Sequence, residues 1–423
     1  MIRKLERHQW ERLLTIGARG ATIFIKVFEK VVCKVVLVIR PSAKGVGAIE
    51  QMSMLTGAQR GLRRANSYRV LLALRERGPL SKRSLGDICD LSRPTVDRIV
   101  GGFLERELVK KDGHLDSSGG RRPVLYRFNE RAGYAIGVDL EIPKLELVVT
   151  DLQGQPLARR ARRLPGEEGV EPVLQFVRDE IVDLAEEATI HWERVVGIGL
   201  GAPAFLNDDT ITIAGRNLPP WTDVPAKAIL EESLKVPVYM DNDANYMALA
   251  ESHCMNYTDE VLVYITLRQG ARGDIRMGGS VLTGGRILHG AHGNAVSLQH
   301  AYVKLGEGGR LEQVLQEALD LSTGLRGFVS KLSDRLIVQI LNLVTLFDPS
   351  QVVINAEILG QYEPLFIKEC EEVLESELGE NLGWRVKVTR AQERGLTCAK
   401  GAALSVLQDL FSRPEYLVEK LAR

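Results

Sequence analysis

Residues 236–251 read Val-Pro-Val-Tyr-Met-Asp-Asn-Asp-Ala-Asn-Tyr-Met-Ala-Leu-Ala-Glu, and their reading decides the fold. The apolar run 236–240 predicts a short buried strand. Asp241, Asn242, Asp243, Ala244 and Asn245 follow, and then Tyr246, Met247, Leu249 and Ala250 recur at helical spacing. A strand that turns through polar residues into a helix is the unit of an α/β sheet, and open sheets of this kind bind ligands at the carboxyl ends of their strands. Asn offers a donor and an acceptor and a carboxylate offers acceptors only, a set that suits a polyhydroxyl ligand. A helix N-cap explains one such residue. Two Asp and two Asn within five positions exceed what a cap needs.

Working outward, the 423 residues allow two or three domains with ample core. The formal charge is zero but unevenly spread: residues 1–59 carry +6, residues 60–127 carry +8, and the rest therefore −14. A basic front on an acidic body points to a polyanion partner for the front. Five scattered cysteines with no CxxC pair argue for a reducing compartment and against a disulfide framework or a cysteine zinc site. The apolar run 31–39 is short and interrupted by Lys34, so it neither spans a bilayer nor has the order of a signal peptide. The expected location is the cytoplasm.

Residues 1–53 fit nothing that follows, and are read as an upstream extension, from a start codon assigned too early, or as an extra arm. Peptides from before Gln51 in natively expressed protein would exclude the early-start reading. From Asn66 the pattern sharpens. Val70, Leu71 and Leu74 lie on one helical face before Gly78-Pro79. Ser81 caps a second helix with Leu85, Ile88 and Cys89 inward. Ser92 caps a third, with Pro94 just inside it and Thr95, Val96, Ile99, Val100, Phe103 and Leu104 at helical spacing. Two helices joined by a short turn form a helix-turn-helix pattern, and 108–113, the basic glycine loop 117–123 and 124–128 read as the strand, loop and strand of a wing. Such a unit also serves protein contacts, but the local charge favours double-stranded DNA. Arg93, Thr95 and Arg98 are the candidates for the major groove, and Arg121 and Arg122 for the backbone or minor groove.

The Asp-Asn-Asp-Ala-Asn segment resembles the ENDAN segment of the ROK family of repressors, open-reading-frame proteins and sugar kinases. Ser118-Gly119-Gly120-Arg121-Arg122-Pro123 resembles the wing of its repressors, residues 195–204 resemble its GIGIGxPG strand and turn with Ala204 in the last glycine's place, and Asn217-Leu218-Pro219-Pro220-Trp221 resembles its NLPW-like segment. The resemblance covers roughly residues 55 to 412. It implies a winged helix-turn-helix followed by a two-lobed body of the actin/hexokinase (ribonuclease H-like) type, divided as 54–129, 130–250 and 251–423.

The same resemblance shows which chemistry is altered. Phosphate oxygens approach backbone N–H groups only where side chains are absent. The family's DxGGT loop is here Asp139-Leu140-Glu141-Ile142-Pro143, its GTGIGGG loop is Arg268-Gln269-Gly270-Ala271-Arg272-Gly273-Asp274, and its GGG against adenosine is Asn355-Ala356-Glu357. Three altered loops, each with a new carboxylate, argue against ATP binding and against an enzyme. Arg268 and Arg272 are either anion ligands or, more commonly, solvated charges. On the sugar side, the resemblance implies Asn242 and Asp243 as hexose contacts, Asp243 being the base in the kinases, with Ser297 in place of a glutamate, His300, and Glu312 completing the set. The three zinc cysteines of the family are missing, and a lone His300 cannot hold structural zinc. No metal or cofactor is expected. The expected protein is a sugar-sensing DNA-binding regulator, a homodimer or homotetramer and not a membrane protein. Its rivals are a sugar kinase with an added DNA-binding domain and a regulator whose body only dimerises.

Overall fold

A computed structural model describes residues 48–114, 122–164, 169–207, 210–214, 218, 220–257, 260–269, 275–298, 302–303, 309–310, 324–379, 383 and 385–413. The chain forms two compact units, Met1–Arg63 and Arg64–Arg423. Nearly all the described residues belong to the second.

The front of that unit is built from the end of α1 (Ala48–Arg77), β1 (Leu80–Ser81), α2 (Lys82–Cys89), α3 (Arg93–Glu105), β2 (Val109–His114) and β3 (Val124–Phe128), with the strands in the order β1-β3-β2. Ser81 Oγ accepts from Ser84 N at 3.1 Å, the expected cap of α2. Ser92 caps α3 by conformation alone, its Oγ lying 2.9 Å from Thr95 Oγ1. Val70, Leu71, Leu74, Leu85, Val96, Val100 and Phe103 close a small core. Ile88, expected inward, is 39% exposed, because α2 has only two turns and Leu85 and Cys89 fill the face it presents.

The body holds two sheets. The first takes β4 (Tyr134–Glu141), β5 (Lys144–Asp151) and β6 (Pro156–Arg163), then α4 (Val170–Glu187), β7 (Val195–Ala202), the small sheet β8 (Ala204–Asn207), β9 (Thr210–Ala214) and β10 (Thr222–Val224), then α5 (Ala226–Leu234) and β11 (Val238–Asn242). Its order is β11-β7-β4-β5-β6, parallel from β11 to β4 and antiparallel beyond. Strand β6 carries four arginines on an edge, which masks its strand character in the sequence while the charges blunt the edge. After α6 (Asp243–Cys254) come β12 (Val261–Gln269), β13 (Ile275–Thr283), β14 (Arg286–Ile287), β15 (Tyr302–Val303), β16 (Gly309–Arg310), α7 (Gly324–Phe347), β17 (Gln351–Asn355), α8 (Glu363–Leu374), β18 (Lys387–Arg390) and α9 (Thr397–Ser412). The second sheet runs β14-β13-β12-β17-β18.

Helices α6 and α9 pack on each other and on the sheets. Residues 243–252 of α6 are all buried, so the helix lacks the single apolar face expected of it and is covered all round. Glycines permit this fit. A Cβ at Gly137 would lie 1.8 Å from the Ala399 carbonyl oxygen, and one at Gly401 would lie 1.7 Å from that of Tyr246. Phe411, near the end of α9, ties the body to the front. Its ring lies 3.9 Å beneath the Arg75 guanidinium and 6.2 Å from that of Phe128, and its carbonyl accepts from Tyr68 Oη. Gln153 Nε2 donates to Arg75 O at 3.1 Å, and Arg194 pairs with Glu107 at 2.7 Å.

Candidate functional site

The polar run that opens the sequence reading sits where two sheets meet. Asp241 and Asn242 end β11, and Asp243 begins α6 two to three residues earlier than the apolar spacing suggests. Asn242 is the N-cap. Its Oδ1 accepts from Ala244 N at 3.0 Å and its Nδ2 donates to Ala204 O at 3.2 Å, so it caps the helix and holds the turn after β7. Asp241, 6% exposed, accepts from Asn245 Nδ2 at 2.7 Å and Asn242 N at 2.7 Å. Asp241 and Asn245 therefore brace each other, while Asn242 is held by the backbone on both sides of it.

A cleft opens over this run. It is walled by Ala204 and Phe205 from the first lobe, Arg268, Arg276 and Gly278 from the second, and the segment 293–298. Asn294 fastens that segment across the cleft. Its Oδ1 accepts from Leu206 N at 3.2 Å and its Nδ2 donates to Leu206 O at 3.1 Å, as a strand neighbour would. Ser297 Oγ donates to Asn294 O at 2.9 Å. The structure thus brings Asn242, Asp243 and Ser297 together at one cleft. His300 and Glu312 lie outside the described residues. So does Arg121. Arg93, Arg98 and Arg122 are exposed and Thr95 is half-buried, the first three free of the hydrophobic core.

Arg268 is the residue the sequence left undecided, and it turns out to be neither a solvated charge nor an open anion ligand. Its side chain is 24% exposed, with Nη1 2.9 Å from Glu141 Oε2 and Nη2 hydrogen-bonded to Asp243 Oδ2. Asp139 lies in the same group. Burial first, and the Glu141 carboxylate second, push its carboxyl up to about 8, and its Oδ1 has no hydrogen-bond partner among the described residues. A neutral Asp139 leaves Glu141 and Asp243 as the two carboxylates that Arg268 balances. The guanidinium walls the cleft over Asp243 and also a neighbouring cavity formed by Met247, Leu267, Asn355 and Glu357. In that cavity Asn355 Nδ2 donates to Tyr264 Oη at 3.2 Å, and Glu357 pairs with Arg394 at 3.0 Å.

His289 is a site residue that the sequence reading passed over, being one histidine in a glycine-rich run. Its Nε2 lies 2.7 Å from Asp241 Oδ2, tying the second lobe to the end of β11. That hydrogen bond raises the imidazole above its usual 6.5. A pKa raised on folding adds stability that is complete below the ordinary value and lost as pH rises through the raised one. The tether is therefore closed in acid and opens as pH rises through the raised value, weakened throughout because the side chain is 53% exposed. After correction for the intrinsic base-catalysed rise of exchange, protection of the amides over 289–298 is expected to fall in the wild-type chain as pH rises above about 6.5, and that fall to be absent in His289→Gln. An identical pH profile in the variant would contradict the tether.

Residues 135–317 match the family model described as "ROK family". A putative xylose repressor of Caldicellulosiruptor sp. (strain Rt8B.4) is 24% identical over 404 residues, a match covering 84% of this chain and 98% of that protein. Among solved structures, a ROK family transcriptional regulator described as a homologue of the E. coli MLC protein superposes with a TM-score of 0.67, at 19% identity, over 85% of this chain and 99% of its own. A ROK hexokinase from Thermus thermophilus superposes with a TM-score of 0.56, at 26% identity, over 66% of this chain and all of its own. The two sheets of the α/β body converge on the cleft at Asp243. The chain carries a ROK family domain, matched over residues 135–317.

Proposed function

We propose that the chain is a DNA-binding transcriptional regulator, a repressor by kinship, whose body binds a sugar or sugar derivative in the cleft at Asn242 and Asp243 and does not phosphorylate it. The observation that carries this reading is the repressor match, which takes in 98% of the relative and 84% of this chain, beyond the body alone. The front supports it. Its helix–strand–helix–helix–strand–strand order with a Ser-capped, Pro-started third helix reads as a winged helix-turn-helix over 54–129, followed by lobes at 130–250 and 251–423, with 1–53 unassigned. Arg93, Thr95 and Arg98 would enter the major groove, with Arg121 and Arg122 on the backbone or in the minor groove. His300 and Glu312 would join Asn242, Asp243 and Ser297 around the sugar. A symmetric dimer or tetramer acting in the cytoplasm would present paired wings to half-sites about one DNA turn apart. No helix among the described residues is long and apolar enough to cross a membrane.

Effector binding would reach the DNA through packed elements. Helix α6 starts at the cleft and lies against α9 at Gly401, and α9 carries Phe411, on which Arg75 and Phe128 of the front rest. A ligand that binds one arrangement of the lobes better than another shifts this stack, and with it the wings.

The hexokinase likeness keeps a second reading, a sugar kinase with an added front. A kinase needs a carboxylate free to take a hydroxyl proton and a phosphoryl donor beside it. Arg268 supports the non-catalytic reading, because it occupies Asp243 and stands between the two cavities. Calorimetry with magnesium-ATP is expected to give no binding, and a panel of hexoses, pentoses and amino sugars to give a saturable signal lost in Asp243→Ala. ATP binding with phosphoryl transfer would establish the kinase instead.

A further inference from the structure

We propose that Arg268 is a latch between the two lobes, holding Asp243 in place of a ligand, and that an effector binds by taking Asp243 from it. The second half of this inference rests on the sugar-binding reading of the cleft. The first half does not.

Three elements end at the guanidinium. Arg268 is the eighth residue of β12 in the second lobe. Glu141 is the last of β4 and Asp243 the first of α6, both in the first lobe. Asp243 is 5% exposed at its side chain and Glu141 19%, so the two arms of the latch are unequally wet. The inner arm, Nη2, joins Asp243, which lines the cleft, and the outer arm, Nη1, joins Glu141, which is not part of its lining. A guanidinium offers five N–H donors in a rigid fork, so it can keep one carboxylate while releasing the other. Release leaves Asp243 acceptors for a ligand hydroxyl and leaves Arg268 charged and paired on Glu141, with no carboxylate stranded.

Four other polar side chains of the cleft are already paired. Asn242, Asn245, Asn294 and Ser297 all hydrogen-bond within the chain. Of the groups aimed at the cleft, Asp243 is held by a side chain of the opposite lobe through a single charge-assisted bond. Breaking that bond opens Asp243 to the cleft without disturbing a helix cap or a strand, while Glu141, Asn294 and His289 still tie the lobes together. Asp139, kept neutral beneath it, adds no competing charge. A polyol with a hydroxyl positioned to donate to Asp243 Oδ2 is the ligand class this arrangement would take, and a hydroxyl missing or inverted at that carbon would leave the latch closed.

Hydrogen exchange of the full-length protein tests the latch without any ligand. In Arg268→Gln the peptides covering 238–247 and 261–269 are expected to exchange about tenfold faster than in the wild type, the loss of one partly buried charge pair. If that variant fails to fold, Arg268→Lys carries the test, since one ammonium cannot span both carboxylates as the fork does, and smaller acceleration of the same peptides is expected. Unchanged exchange in folded variants would overturn the latch. The hexose panel, titrated by calorimetry into wild type and Arg268→Lys, tests the handover. Tighter binding to the variant supports it, and equal or weaker binding overturns it. Faster exchange with no hexose bound by either protein would uphold the latch and refute the sugar reading of the cleft.

Discussion

Gly401→Ala is expected to destabilise the body by about 3 kcal/mol or more, the upper range for forcing atoms into a packed interior. The added Cβ would sit 1.7 Å from the Tyr246 carbonyl oxygen, 2.4 Å from its carbon and 3.0 Å from its Cα. All three are backbone atoms of a buried helix, so no side chain can rotate away. α9 would have to lift from α6, and the same movement would part it from the sheet, where Gly137 and Gly199 already bring backbone to backbone. Thermal unfolding monitored by circular dichroism gives the loss, and Gly102→Ala supplies the contrast. A Cβ at Gly102 meets nothing within 4 Å in the middle of α3, so that substitution should stabilise by about 0.5–1 kcal/mol through the unfolded chain. Equal stability of Gly401→Ala and wild type would contradict the packing of α6 on α9, and with it the route proposed from the cleft to the front.

Alanine at both Arg93 and Arg98 is expected to weaken binding of the chain's preferred DNA duplex by about 10²- to 10⁴-fold, each arginine contributing roughly what one base or phosphate contact does. Both side chains stand exposed on the first half of α3, whose opposite face buries Val96, Ile99 and Val100, so removing them leaves the fold intact. The salt dependence separates their roles. Loss of a phosphate contact lowers the slope of log affinity against log salt by about one per arginine, whereas loss of a base contact relaxes sequence preference at a fixed slope. Unchanged affinity in the double variant would place the DNA surface elsewhere or remove it.

The strand, polar turn and helix at 236–251 were legible because a short apolar run gives way to helical spacing across a run of Asp and Asn, and Asn242, Asp243 and Asn245 of that run then line the cleft. The edge strand β6 was not legible, because Arg159, Arg160, Arg162 and Arg163 swamp its alternation; charge there serves the edge and hides the strand. The burial of α6 on all sides was also hidden, since Asp243, Asn245 and Glu251 read as polar. Glu251 is fully buried because its two oxygens accept from Gln392 N and Glu393 N at 2.8 Å each, partners 141 and 142 residues away. Arg268 shows the limit most clearly. As a letter it marked only a missing glycine in a phosphate loop. Its two carboxylate partners lie 127 and 25 residues earlier, and only the meeting of β4, β12 and α6 gives it a role. A charged residue at a strand end facing a gained carboxylate, Glu141, was the available signal, and it could be read only with the pairing of lobes in hand.

The most direct test of a sugar-responsive DNA-binding regulator is selection of a randomised duplex library on the full-length protein, followed by anisotropy titration of the enriched duplex with and without the hexose panel. The predicted result is one enriched sequence with two half-sites about 10 base pairs apart and an affinity that one sugar changes at least about fivefold. Sequence-independent binding, or a selected duplex whose affinity no sugar alters, would contradict it.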